Sequence, residues 1–136
     1  MVKLNFSLIA KLVLKKDAIK EHERGLEINF VNPLPKPKIE ISNFRIASIA
    51  EHADIWIGGI KLEESHFHNL LLDWGGELLK LEDFEQMDKI HIPHKEKIKG
   101  YFDLPFQAGD EVEFHLIVKG NHQIEIKLKR KVQKQD

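Results

Sequence analysis

A chain of 136 residues, 42% apolar and with a formal net charge of −1, is long enough for one hydrophobic core and lacks the strong positive charge of a polyanion binder. It has no cysteine, no threonine and only four serines. That excludes a disulfide framework, a thiol nucleophile and cysteine-ligated zinc, and leaves little for hydroxyl chemistry. The near-neutral total hides a segregation: five lysines against one acid in residues 1–20, ten acids against two lysines in 51–88, and six bases against two acids in 119–136.

In residues 2–14, Leu4, Phe6, Leu8, Ala10, Leu12 and Leu14 alternate with a more polar set, which predicts a long first strand. Asn5, Ser7 and Lys11 interrupt the apolar run that a signal peptide needs. No run approaches the roughly 18 apolar residues of a membrane helix, so the expectation is a soluble, cytoplasmic protein with no membrane partner. Residues 17–24 are polar and read as a loop or one helical turn. Leu26, Ile28 and Phe30 give a second strand, stopped by three prolines at Pro33, Pro35 and Pro37. Ile39 and Ile41 alternate in one register and Phe44 and Ile46 in the other, so a bulge or a turn lies at Ser42-Asn43. Residues 50–53 read as a short connection. Ile55-Ile57 and Ile60-Leu62 flank Gly58-Gly59, either a tight turn or a bend.

The middle has no clean period. Residues 65–74 hold an apolar triplet ahead of Gly75-Gly76. Residues 77–87 fit a helical face or a strand, with the acids favouring a short helix over 81–88. Ile90 and Ile92 form a short strand stopped by Pro93, and residues 98–106 contain another. The clearest passage is 112–132. Val112, Phe114, Leu116 and Val118 alternate with Glu113, His115, Ile117 and Lys119; Ile124, Ile126 and Leu128 follow after Gly120-Asn121. Period 2 on both sides of a Gly-Asn break predicts an antiparallel hairpin, with Phe114, Leu116, Ile124 and Ile126 as core.

Roughly eight strands with at most one or two short helices need a second layer to cover their apolar faces. The expected fold is therefore all-β: one antiparallel β-sandwich domain over residues 1–136, with jelly-roll or immunoglobulin-like connections and a frayed tail at 133–136.

Chemistry is sparse. Eight histidines supply the only ligand type suited to a transition metal. If residues 66–68 are a strand, His66 and His68 project from one face, and His91 and His94 could add further ligands, in the manner of a metal-dependent jelly-roll enzyme. No nucleophile, phosphate loop or catalytic constellation is visible, and no cofactor is implied. The basic run from Lys127 to Lys134 lacks the exposed aromatics of a nucleic-acid surface and reads as a solubilising flank on an edge strand. Trp56, between Ile55 and Ile57, makes its strand apolar on both faces; Ile9, Val13 and Ile117 also fall on nominally polar faces. Such strands are either doubly covered, with residues 63–99 as the cover, or form an interface. The expected function is a non-enzymatic binding or structural domain that contacts a protein partner or self-assembles through Trp56, Ile9, Val13 and Ile117. A groove lined by Trp56 or Trp74 for a small ligand or carbohydrate is the alternative.

Overall fold

The structure, a computed structural model, describes residues 11, 13–31, 38–42, 44–93, 96–120 and 123–135. Among them, five strands form one sheet in the order β1 (Ile19–His22), β2 (Gly25–Val31), β9 (Lys97–Phe102), β6 (Leu71–Trp74), β7 (Glu77–Lys80). Four form a second: β11 (Ile124–Lys131), β10 (Glu111–Val118), β4 (Ala53–Ile57), β5 (Ile60–Lys61). β3 (Lys38–Ser42) pairs with β8 (Lys89–Pro93) as a separate ribbon. Three helices accompany them: α1 (Ile46–His52), α2 (Glu64–Asn69) and α3 (Leu81–Glu85).

This corrects the expectation of an all-β sandwich. The protein is a mixed α/β domain with two open sheets. Alternation alone misplaced the helices. Phe44 and Ile46 were expected in a strand, but Ile46 opens α1, where Ile46 is buried and Ile49 packs on the core one turn later. Two alanines at positions 47 and 50 favour the helical solution. The helix runs to His52, through most of the stretch expected to be a connection. Its first N–H is satisfied from a distance: Glu85 Oε2 on α3 accepts from Ile46 N at 3.1 Å. Lys11 and Val13, expected at the end of the first strand, are helical; residues 1–10, with Ile9, lie outside the described residues.

Other segments resolve the open readings. Gly58 and Gly59 both have positive φ, 59° and 82°, and close a tight two-residue hairpin turn between β4 and β5. A side chain on Gly58 would also run into the Phe106 ring. Residues 77–85 are strand and helix in succession rather than one or the other. Residues 19–22 form β1 instead of a loop, paired with β2 across a two-residue turn. Residues 63–99 supply strands β6 to β9 and two helices; they build the five-stranded sheet and the ribbon instead of lying across a sheet as a cover.

One apolar cluster takes side chains from both sheets: Ile19, Leu26, Ile28 and Phe102 from the first, Ile57, Val112 and Leu128 from the second, with Ile46 and Phe67 from α1 and α2. The sheets are tied at one corner. Gln133, just beyond β11, donates to Ile19 O and accepts from Glu21 N, both at 2.8 Å, making a parallel bridge to β1. Gln133 is thus part of the sheet structure, although the sequence placed it in a tail. Around this corner Ile19, Val112 and Val132 are fully buried. Away from it the sheets part, and a cavity of about 390 Å³ opens between them.

That cavity explains why the terminal hairpin's core lies off its predicted centre. Phe114, Leu116, Ile124 and Ile126 face inward but are only half-buried, whereas Val112 and Leu128 at the hairpin's base are buried. A sealed void of this size would cost roughly 9 kcal/mol at about 24 cal/mol per Å³, comparable to the whole stability of a small domain. Leu128→Ala should therefore cost about 2–5 kcal/mol. Leu116→Ala, whose side chain already borders open space, should cost roughly half as much. Lys129→Ala, on the exposed face, should stay within about 0.5 kcal/mol. Urea-unfolding midpoints of the three variants check this order. Glu85→Ala should cost about 1 kcal/mol through the lost cap on α1, read in the same way.

Candidate functional site

Period 2 divides the side chains of the four-stranded sheet. Ile55, Ile57, Val112, Phe114, Leu116, Ile126 and Leu128 belong to the inner set; Asp54, Trp56, Glu113, His115, Ile117, Glu125 and Lys127 to the outer. Register then aligns the outer set in rows. Lys61, Trp56, His115 and Lys127 are successive partners across β5, β4, β10 and β11. Asp54, Ile117 and Glu125 form the adjoining row.

The first row is held by ring contacts. Trp56 and His115 stack with centroids 4.7 Å apart and planes 23° apart. Lys61 Nζ lies over the indole, 5.6 Å from its centroid. The two come from strands on opposite sides of β4, so the indole sits between them. A cation–π contact at such a site contributes about 0.5–1 kcal/mol, and a cross-strand aromatic pair roughly 0.2–1 kcal/mol. Charges frame the row. Asp54 lies 3.6 Å from Lys61 and 3.4 Å from Lys119, joining the acidic middle of the sequence to its basic end. Glu125 lies 3.7 Å from Lys127 and 3.3 Å from His115 Nε2. The latter pair is not aligned for a hydrogen bond, so His115 Nε2 is buried beside the Glu125 carboxylate without a hydrogen bond. Unpaired buried polar atoms are uncommon and costly.

Trp56 and Ile117 share this face, Trp56 opposite His115 and Ile117 opposite Asp54, but the expected set divides. Val13 packs against the core and lines the inter-sheet cavity. Ile9 lies outside the described residues. His115, Lys61 and Lys127 were missed as members. The signal for His115 was its shared parity with Ile117; its meeting with Trp56 depends on the β4–β10 register, which no local pattern reveals.

Trp74 belongs to the other sheet and makes no common platform with Trp56. It stacks on Phe84 of α3 at 5.7 Å, and its Nε1–H donates to Glu96 Oε1 at 2.5 Å. Beside it runs a shallow cleft bordered also by Leu79, Met87, Ile90 and His91.

The histidine pair is separated by its helix. Residues two apart on an α-helix point about 200° from one another, so the shared strand face that a metal would need does not exist. His66 Nδ1 accepts from Glu63 N at 2.9 Å, closing the first turn of α2. His68 lies between Glu82 of α3 at 2.9 Å and Glu64 at 3.4 Å. His91 is on β8, and His94 lies outside the described residues. Among the described residues no group of three histidines or carboxylates is gathered for a metal ion.

The Glu82 hydrogen bond, then the Glu64 one, raise the His68 pKa above its ordinary value of about 6.5. A raised folded-state pKa contributes stability that is complete below the unfolded value and is lost as pH rises through the folded one. The α2–α3 tether should therefore be at full strength below about pH 6.5 and be lost as pH rises through the raised His68 value. In an NMR titration His68 should titrate above its ordinary value, and Glu82→Gln should return it towards that value. The difference in urea midpoint between the two proteins should be largest in that acidic window.

In comparisons with known proteins, no family model and no curated protein matches this chain.

Proposed function

We propose that this chain is a non-enzymatic binding domain acting through protein–protein contact, and that the outer face of the four-stranded sheet makes the contact with a second copy of the chain. The observation that carries the reading is the Trp56–His115 stack with Ile117 alongside, framed by Asp54, Lys61, Glu125 and Lys127. An aromatic and aliphatic centre inside a charged rim is the usual anatomy of an interface. Its alternating charges can pair with themselves under a twofold axis, as an isologous contact requires.

Two features favour protein over the other ligand classes. The indole of Trp56 already stacks on His115, with Lys61 Nζ 5.6 Å from its centroid, which leaves less of the ring to stack on a sugar. Two of the three lysines of β11 have acidic neighbours, Lys127 with Glu125 and Lys129 with Glu111, which weakens the strand as a track for phosphates. No helix among the described residues is long and apolar enough to cross a membrane. The cysteine-free composition fits a cytoplasmic setting.

Light scattering after size exclusion at about 100 µM, which reaches weak contacts, should give a mass above that of one chain. Trp56→Ala should weaken the association about tenfold or more, as loss of a central aromatic does. A strict monomer unaffected by the substitution removes the reading.

A further inference from the structure

The cavity of about 390 Å³ lies between the two sheets and takes its lining from both. One wall is Ile28, Phe30 and Phe102 of the five-stranded sheet; the other is Ile55, Phe114 and Leu116 of the four-stranded sheet. Its volume lies within the range of small-molecule sites, and its walls are almost wholly apolar. The bridge between Gln133 and β1 ties the two sheets together at one corner. From these observations we propose that the cavity binds one apolar chain molecule, an acyl or isoprenoid chain.

The chemistry follows from what the walls offer. Among the described residues the lining carries no acid, lysine or arginine, His115 being its one titratable member, so a ligand's polar end would remain at the mouth while its hydrocarbon enters. Apolar cavities stay dry and take apolar guests; one of about 150 Å³ holds a benzene, and at the same occupancy 390 Å³ takes about fifteen carbons. The site lies on the inner face of the four-stranded sheet, opposite the proposed contact face, and its occupancy does not depend on self-association.

The test is calorimetric titration of dodecanoate into the full chain below its critical micelle concentration, with butanoate as the short-chain control. One dodecanoate per chain should bind, with a negative heat-capacity change and a rise in melting midpoint; butanoate should not bind. Leu116→Trp, which fills the space, should weaken binding about tenfold or more, while Lys99→Ala, exposed on β9, should leave it unchanged. Circular dichroism verifies that the variant folds, and Ile126→Phe replaces it if it does not. No binding at about 1 mM, several dodecanoates per chain, or undiminished binding to a folded cavity-filling variant overturns the proposal.

Discussion

Two main-chain hydrogen bonds from Gln133 to β1 set the geometry on which the rest of this domain depends. They tie the end of β11 to the edge of the other sheet, where Ile19, Val112 and Val132 are packed out of contact with water. Two twisted sheets joined at one corner diverge away from it. The apolar side chains near the joint are therefore buried, and those farther along the same strands border open space. The gradient along β10, from buried Val112 to half-buried Leu116, is the residue-level record of that divergence.

The four-stranded sheet then presents two different surfaces from one set of strands. Its inner side is aliphatic and aromatic and turned to the cavity. Its outer side carries rings and charges in cross-strand rows, so Trp56 is not a core residue although both its neighbours face the core. Because side chains alternate strictly, the face assigned to Trp56 fixes the face assigned to Ile55 and Ile57. Assembly on one side and hydrocarbon binding on the other would use separate residues of the same strands.

The helices are short and rely on contacts outside themselves. α1 takes a cap from Glu85 of α3, α2 closes on its own His66, and His68 joins α2 to α3. Helices of five to seven residues are too short to be stable alone. Their histidines and carboxylates are thus read most directly as structural links.

The sequence by itself determined the elements whose signal is local. β10 and β11 alternate around a glycine-containing turn, β4 and β5 flank Gly58-Gly59, and β2 alternates between a glycine and prolines. In each, a two-residue period and a turn residue lie within a few positions of one another, and the sharing of a face by Trp56 and Ile117 follows from parity once the strands are adjacent. Tertiary structure decided the rest. Ile-Lys-Glu-His at 19–22 has little strand pattern and becomes β1 because β2 and Gln133 pair with its main chain. Residues 46–52 place Ile46 and Ile49 three apart and residues 64–69 hold one apolar side chain, Phe67; burial of Ile46 and Phe67 against the shared core favours helix. That choice overturned the all-β fold and separated His66 from His68. The meeting of Trp56 with His115, the placement of Trp74 in the other sheet and the cavity arise from registers and sheet divergence between segments far apart in the chain, where local periodicity carries no information.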